Sequence, residues 1–343
     1  MFWKTVRSPD LWPLADAAVL AVANLVVWIV HPWLSLSFAW RRRRWPTFAT
    51  PAAVSELVQW RKVFDRNPLF AVLADKQRVK DWARNKVPSI RTAEVLWSGT
   101  VAANIPDELV APGYVIKTNH GTSTNYFPHR ERKPRAEINR QLDTWLAQRF
   151  DRELQWAYGQ FAPCIIVERL IGDGRALREM TFRCCDGKAV TAYVYNAQKT
   201  ADEQRACFSG DGERFPHETG LARDRRLPDD FRVGPDFFEA RAIAEQLASG
   251  LDFVRVDLIW DGPDLYLCEM TLYPDSGFGD EHRTHTAGTI YRAWLGAIER
   301  SWFLSTRQSW PLSLYAAAFR RWAAARLQSQ VRAIPVSAEG TVS

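Results

Sequence analysis

The sequence is poor in cysteine, with five among its 343 residues. The number is odd, two of the five are adjacent, and no pair has Cys-x-x-Cys spacing, so neither a disulfide framework nor a structural zinc site is predicted. Several lie in apolar runs, where a thiol behaves as a small hydrophobic side chain. This use of cysteine is typical of a reducing compartment.

Low-complexity stretches and an evenly spread basic charge are also absent. The 18 glycines and 19 prolines are ordinary shares, which excludes collagen-like proteins. Lysine and arginine exceed aspartate and glutamate by 45 to 39, but Arg41–Arg44 alone supply four positive charges. The excess is therefore a local patch, and a nucleic-acid partner is not expected. The length predicts either about two domains or one composite α/β enzyme.

The N-terminal region holds a 24-residue stretch, from Ala17 to Trp40, that contains no Asp, Glu, Lys or Arg. A helix of this length spans a hydrocarbon core of about 30 Å. Asn24 and the pair His31–Pro32 interrupt the stretch, which favours an interfacial, re-entrant or buried helix. A true span, an interfacial anchor and a helix packed on the protein all stay open. The tryptophans here and Arg41–Arg44 favour contact with the cytoplasmic face of a membrane.

The C-terminal region also has apolar residues at helical spacing, among them Leu312, Tyr315, Phe319 and Trp322, with arginines beside them. Two interpretations fit this basic amphipathic helix equally: it lies on a membrane, or it packs on its own domain with a solvated basic face.

Helix and strand patterns alternate between these ends, which predicts an α+β or α/β enzyme. Helical spacing is clear over residues 138–150 and 237–247. The predicted strands are 114–118, 164–170, 189–195, 253–258 and 265–270. The polar segment 201–232, with its glycines and prolines, is predicted to be a long loop or lid.

The first candidate site is the run YVIKTNHGTSTN, in which a strand delivers Lys117 and a polar loop follows. Backbone N–H groups of such a loop can cradle phosphate oxygens, and a strand-borne lysine can neutralise their charge. A surface turn with a solvated lysine explains the pattern as well. The loop residues concerned are His120, Gly121, Thr122, Ser123 and Asn125.

The second candidate site is the carboxylate pair Asp257 and Glu269, each near the end of an apolar strand, with an Asp261–Gly262 turn between the strands. Antiparallel pairing brings both carboxylates to one end of the sheet, where hard oxygen ligands hold Mg²⁺ and its bound phosphates. Arg255, two residues before Asp257, projects to the same face. The alternative is two structural carboxylates satisfied by their neighbours.

The third is the strand in CIIVERLIGDG, whose end at Glu168 and Leu170 offers backbone groups to an adenine edge. An ordinary core strand with an exposed glutamate is the simpler interpretation of this run alone.

Taken in order, these pieces resemble the ATP-grasp fold, and within it the TupA-like family linked to teichuronopeptide-type polysaccharide synthesis. The resemblance covers about residues 75–288 and rests on Asp75–Lys76, VIKTNHGTSTN, IIVER and RVDL…CEMTLYPDSG. It implies two α/β subdomains that clamp ATP. Together with the patterns at the two ends, it predicts four segments: a membrane-associated region 1–46, an N-terminal subdomain 47–112, ATP-grasp subdomains 113–304, and a basic helix with a flexible tail 305–343.

The resemblance also implies a role for each candidate residue. Lys76 and Lys117 would bind phosphates beneath the lid Gly121–Ser123, and Glu168, Arg169 and Leu170 would meet the adenine. Asp257 and Glu269 would hold Mg²⁺ with Thr271 nearby. Arg255 and Lys117 would stabilise the transferring phosphoryl group.

The implied reaction is carboxylate–amine ligation through an acylphosphate, with ATP and Mg²⁺, on a surface-polysaccharide precursor or a similar acidic acceptor and an amine donor. Two positions depart from the family pattern: Ser123 replaces a glycine, and Thr181 stands where a lysine is expected. Two alternatives therefore stay open, a kinase that stops at phosphoryl transfer and a membrane-bound scaffold whose nucleotide site has decayed.

Overall fold

The computed structural model describes residues 12–150, 153–174, 177–197, 200–216, 221–279 and 286–332. The predicted α+β class is confirmed. The helices are α1 Trp12–Val30, α2 Pro32–Arg42, α3 Val54–Phe64, α4 Phe70–Leu73, α5 Arg78–Lys86, α6 Arg135–Leu146, α7 Pro235–Ala248, α8 Ala287–Ala297, α9 Trp302–Ser305 and α10 Leu312–Arg332. The strands are β1 Arg91–Thr92, β2 Val95–Gly99, β3 Tyr114–Thr118, β4 Asn125–Tyr126, β5 Ile165–Arg169, β6 Arg178–Cys185, β7 Lys188–Asn196, β8 Gln204–Ser209, β9 Phe253–Trp260 and β10 Leu265–Thr271.

The strands form two sheets. The smaller has the order β2-β5-β3-β4 and is antiparallel. The larger has the order β1-β10-β9-β6-β7-β8 and is antiparallel except where β1 pairs with β10. The five predicted strands all exist, within two residues of their expected ends. Strands β9 and β10 pair as a hairpin, so the predicted antiparallel arrangement of the two carboxylate strands is confirmed.

The larger sheet has one apolar face and one polar face because its side chains alternate along each strand. Val254, Val256 and Leu258 of β9 lie in the core with Met180 and Phe182 of β6. Helices α7 and α8 contact this side of the sheet. The opposite face carries charged and hydroxyl side chains, and it is the face on which the candidate carboxylates lie.

The prediction of a long loop over residues 201–232 is wrong in its first part. Strand β8 lies there and pairs with β7 over its full length. Its polar residues Gln204, Arg205 and Ser209 hid the strand, although Ala206 and Phe208 are buried in the core. No disulfide joins the five cysteines, all of which lie in the described ranges, and Cys184, Cys185 and Cys207 are buried as small hydrophobic side chains.

The terminal helices pack against each other and against α3. Tyr315 and Phe319 of α10 are buried beside Trp60, with the Phe319 ring stacked on Trp60 at a centroid distance of 5.1 Å. The Trp60 indole donates to the Tyr315 hydroxyl at 2.8 Å. Helix α10 thus packs on its own domain through this face, as one of the two sequence interpretations expected.

The N-terminal stretch is broken once. His31–Pro32 separates α1 from α2, and the polar Asn24 lies inside α1. The buried Asn24 amide donates to Thr50 and accepts from the Ala49 N–H, so its polar atoms are satisfied within a continuous helix. Among the described residues, no single helix is long and apolar enough to cross a membrane. The helical segments Leu14–Val30 and Pro32–Arg42 reach the necessary length and apolar composition only when taken together, and the chain bends by 99° between them.

Candidate functional site

A cavity lies between the two sheets and receives side chains from both. The smaller sheet and α5 contribute lysines, and the larger sheet contributes Glu269 and apolar residues of β9 and β10. The lining residues named in the predictions are Lys76, Lys117, Asn125, Glu168, Arg169, Leu170 and Glu269.

Glu168 organises the basic side of the cavity. Its carboxylate pairs with Lys117 at 2.8 Å and with Lys80 at 2.9 Å. The Lys80 ammonium also donates to the Ala93 carbonyl at 2.7 Å. Glu168 is 2% exposed, so its charge is retained because two cations offset the cost of burial. Burial raises the pKa of Glu168, but Lys117 and Lys80 outweigh that effect and lower it.

The lysines are also coupled to the carboxylate of the other sheet. Burial lowers the pKa of Lys76, and the Glu269 carboxylate is the largest opposing influence. Burial lowers the pKa of Lys117 too, but Glu168 outweighs it, Glu269 adds to the effect, and the net shift is upward. Lys117 therefore stays protonated. The two sheets thus present opposite charges to one space, which suits a phosphate chain bridged by a metal ion.

The loop after β3 turns tightly, with positive φ values at Gly121 and Ser123. Gly121 has a φ of +76°, and a Cβ there would lie 2.1 Å from the Phe150 ring. Lys76 donates through its ammonium to the Gly121 carbonyl. Ser123 has a φ of +59°, in the left-handed region that favours glycine. The sequence departure at Ser123 therefore places a non-glycine residue in a conformation that costs it about 1 kcal/mol.

The other predicted loop residues divide by exposure. Thr122 and Ser123 are exposed at the tip, and Asn125 lines the cavity from β4. His120 is buried, and its Nε2 lies 3.1 Å from the Gln148 carbonyl. Burial lowers the pKa of His120, so it is neutral near pH 7. Its position makes it a support of the loop, beneath the exposed tip.

The acidic side of the site is the pair predicted from the sequence. Asp257 lies directly opposite Glu269 in the β9–β10 ladder, so both side chains share one face. Arg255 donates to both oxygens of Asp257, at 2.9 and 2.7 Å, and Thr271 donates to Glu269 at 3.1 Å. Burial acts to lower the pKa of Arg255, but Asp257 and Glu269 together raise it, so the guanidinium stays charged.

These oxygens fit a magnesium ion that completes its shell with phosphates. The described residues hold no group of three or more His, Cys, Asp or Glu side chains suited to a metal. Mg²⁺ commonly uses only one or two carboxylates plus substrate phosphates and water. Asp257 and Glu269 supply that number, and the lysines opposite supply the charge that phosphates need. The predicted ligand Thr271 contacts Glu269, which places its hydroxyl beside the pair.

Arg169 and Leu170 end the strand that carries Glu168 and line the cavity. Arg169 is exposed and pairs with Glu94, while the Leu170 N–H donates to the Gly113 carbonyl at 2.8 Å. Thr181 lies opposite Asp257 on the neighbouring strand β6. The position where the family pattern expects a lysine is thus directly beside the carboxylate pair, and here it carries no charge.

Sequence reasoning missed two features of the site. The first is Lys80, which lies four residues after Lys76; this helical spacing was a usable signal, although Lys76 itself lies in the turn before α5. The second is the turn Pro274–Gly277 after β10, in which Asp275, Ser276 and Gly277 have φ values of 47°, 52° and 70°. Gln59 and Lys62 of α3 both donate to the Ser276 carbonyl, at 2.9 and 2.8 Å.

Comparison with known proteins identifies one family. A family model described as TupA-like ATPgrasp matches residues 56–297. No curated protein matches the chain by sequence at a significant level.

Comparison with solved structures gives matches at low identity. ATP-grasp ligase PsnB, complexed with a phosphomimetic variant of a minimal precursor, Mg and ADP, is 12% identical with a TM-score of 0.35; the match covers 78% of this chain and 66% of that one. D-alanine–D-alanine ligase from Helicobacter pylori is 13% identical with a TM-score of 0.39, covering 74% and 69%. L-amino acid ligase from Bacillus licheniformis is 11% identical with a TM-score of 0.43, covering 76% and 57%. The chain thus spans about two thirds or less of the length of these three relatives.

Proposed function

Because the chain belongs to the TupA-like ATP-grasp family, we propose that it is an ATP-dependent carboxylate–amine ligase. One observation carries the proposal: Lys76, Lys80 and Lys117 face Glu269 across a single cavity between two sheets. Opposed cations and carboxylates of this kind suit a nucleotide whose phosphates contact lysines on one side and a carboxylate-bound Mg²⁺ on the other.

The reaction takes two steps. A carboxylate oxygen of the acceptor attacks the γ-phosphorus of ATP, the bond to the bridging oxygen breaks, and ADP leaves. An amine then attacks the carbonyl carbon of the acylphosphate, and phosphate leaves as the amide forms. The role of Mg²⁺ is to neutralise charge on the phosphate oxygens.

The chain's own residues serve these steps by position and charge. Lys117 and Lys76 stabilise negative charge on the phosphates, and Glu168 fixes the position of Lys117. Arg255 remains charged beside Asp257, at the edge where the carbonyl oxygen of the acceptor gains negative charge. The lid formed by Gly121–Ser123 covers the phosphates and limits hydrolysis of the acylphosphate.

The acceptor is proposed to be an acidic precursor of a surface polysaccharide, met at the inner face of the cytoplasmic membrane. Support comes from a surface that we term the apolar N-terminal face. It comprises exposed residues of α1 and α2, namely Leu14, Val22, Leu25, Val26, Ile29, Val30, Trp33, Leu36 and Trp40. Continuous exposed apolar surface marks a membrane or protein contact. The exposed Arg41, Arg43 and Arg44 at its border favour anionic lipid.

The nucleotide site is tested by calorimetric titration of MgATP into the full chain, with Glu269→Gln as the paired variant. We expect saturable binding that Glu269→Gln weakens about tenfold or more, because one of two magnesium ligands loses its charge. Glu239→Gln, an exposed position on α7, removes the same charge away from the site and should leave affinity unchanged. A folded protein that fails to bind MgATP would contradict the proposal and favour the decayed scaffold.

Trapping distinguishes a ligase from a kinase. Hydroxylamine converts an acylphosphate to a hydroxamate and leaves an ordinary phosphate ester unchanged. A screen of carboxylic acids should therefore give hydroxamate together with ADP. Phosphorylated product without hydroxamate would identify the kinase alternative.

A further inference from the structure

The polar face of the larger sheet continues beyond the carboxylate pair. Residues directly opposite each other on antiparallel strands share a face. Asp257 on β9 lies opposite Thr181 on β6, which lies opposite Tyr193 on β7. This row leads away from Glu269 toward β8, the edge strand of the sheet.

Two arginines converge on this row from either side. The Arg183 guanidinium carbon lies 4.9 Å from the centre of the Tyr193 ring, and that of Arg205 lies 5.9 Å from it. Arg183 is on β6 directly opposite Arg255 of the reaction centre. Three guanidinium groups therefore occupy one region of the polar face, and that of Arg255 donates to both oxygens of Asp257.

Tyr195 lies beside the same arginines. Burial raises the pKa of Tyr195 to about 12. The positive charges of Arg183, Arg205 and Arg255 each lower the pKa of Tyr195, and the negative charge of Asp257 raises it. Tyr195 also lies directly opposite Arg205 in the β7–β8 ladder, and its ring centroid lies 6.0 Å from that of Tyr193.

This set of side chains has the chemistry of an anion site. Guanidinium groups bind carboxylate and phosphate in a planar, bidentate geometry. Phenol rings offer a flat apolar surface and one hydroxyl, which suits a ring-shaped polar ligand. Neighbouring strands are about 4.8 Å apart, so β6 and β7 lie about 5 and 10 Å from β9.

We propose that Arg183, Arg205 and Tyr195 bind a second anionic group of the acceptor, one to two strand spacings from the carboxylate that reacts beside Arg255. The inference rests on the proposed ligase function and narrows its substrate class. The acceptor is an acid that carries a further carboxylate or phosphate, and the arginines set its direction across the sheet.

The test compares two probes that differ in one anionic group, D-glucuronic acid 1-phosphate and D-glucuronic acid. Each is titrated by calorimetry into the full chain saturated with MgADP, so that no turnover occurs. We expect the phosphate-bearing probe to bind about tenfold more tightly or better. Arg205→Gln should lower its affinity to that of glucuronic acid, and Arg205→Lys should restore part of the difference.

Lys188→Gln is the matched control, because Lys188 is exposed on β7 and its loss changes the net charge equally. It should keep the full preference. If Arg205→Gln fails to fold, as judged by thermal unfolding, Tyr195→Phe takes its place with the same expected direction.

Equal affinity of the two probes for the wild-type chain would overturn the subsite, as would equal losses in Arg205→Gln and Lys188→Gln. Failure of the wild-type chain to bind MgADP, measured first on the same sample, would instead contradict the ligase proposal itself.

Discussion

Glu168 and its two lysines form the most consequential arrangement at the scale of single residues. The carboxylate and both ammonium groups are almost completely shielded from solvent, with side-chain exposures of 3%, 8% and 13% for Glu168, Lys80 and Lys117. Removing one member of a buried charge cluster leaves an uncompensated charge, which costs more than the pair itself contributes. The cluster therefore determines both the local stability and the positive charge available to a nucleotide.

Replacing Lys80 tests this arrangement. Lys80→Met should destabilise the fold by about 1.5–3 kcal/mol, because the buried Glu168 loses one of its two charged partners and keeps Lys117. It should also weaken MgATP binding, because Glu168 then offsets more of the charge of Lys117. Chemical denaturation and calorimetry measure the two effects. Arg84→Met, on the exposed side of the same helix, is the control.

A double variant tests the pairing of Glu168 with Lys117. Lys80→Met combined with Glu168→Gln leaves Lys117 buried without its carboxylate partner, so the double variant should be less stable than Lys80→Met alone. A double variant as stable as the single one, or more stable, would contradict the proposed pairing of Glu168 with Lys117.

The sequence predicted part of this residue-scale picture. Lys117, Asp257 and Glu269 could be predicted because each lies on an apolar strand, where an unpaired charge is costly to bury. The partnership of Glu168 with Lys80 could not, because it depends on how α5 packs against the smaller sheet. No local pattern encodes that contact.

At the scale of elements, the turn Pro274–Gly277 links β10, the strand that carries Glu269, to α3. Three successive residues with positive φ are costly, and they persist only where surrounding contacts enforce them. Here Gln59 and Lys62 hold the Ser276 carbonyl. The turn begins three residues after Thr271, so these two hydrogen bonds join the segment that follows β10 to α3.

Gly277→Ala tests this coupling. A Cβ at Gly277 would lie 2.4 Å from the Gln59 amide nitrogen and 3.0 Å from the Val58 Cβ, on a backbone with a φ of +70°. We expect a loss of unfolding free energy of about 2–4 kcal/mol, from backbone strain and the steric clash together, and weaker MgATP binding.

The control for that substitution is Gly250→Ala, with a φ of +85° and no heavy atom within 4 Å of the added carbon. It shares the strain without the clash, so the difference in unfolding free energy reports the packing on α3. Equal costs in the two variants would mean that α3 does not constrain the turn.

Element prediction succeeded where the hydrophobic pattern was regular and failed where it was mixed. Helix α7 and strands β3 and β9 have clean periodicity and were found. Strands β6 and β8 were missed because charged residues of the polar face alternate with the buried ones, as Arg183 and Arg205 do. The signal that would have found them is that same alternation.

At the scale of the whole molecule, the terminal helices form a layer on the ATP-grasp domains. Helix α1 packs along α10, and Asp16 pairs with Arg321 across this contact. One side of α1, including Leu20 and Val27, is thereby buried, and the other remains exposed and apolar. The sequence identified the apolar stretch, but which side of it faces outward depends on the distant helix α10 and could not be predicted from local pattern.

The exposed side yields the last prediction, membrane attachment through the apolar N-terminal face. Trp33 and Trp40 are 80% and 76% exposed on α2, next to the arginines at its end. Replacing both by serine should lower binding to vesicles containing phosphatidylglycerol about tenfold or more, because two indoles leave the interface.

Phe238→Ser, an exposed apolar position on α7, is the control and should bind as the wild type does. Sedimentation with vesicles at low and high salt separates the apolar contribution of the indoles from the electrostatic contribution of the arginines, since anionic lipid attracts the arginines less strongly as salt rises. Vesicle binding that is equal in all three proteins would contradict this face as the contact, and would direct attention to the exposed residues that begin α10.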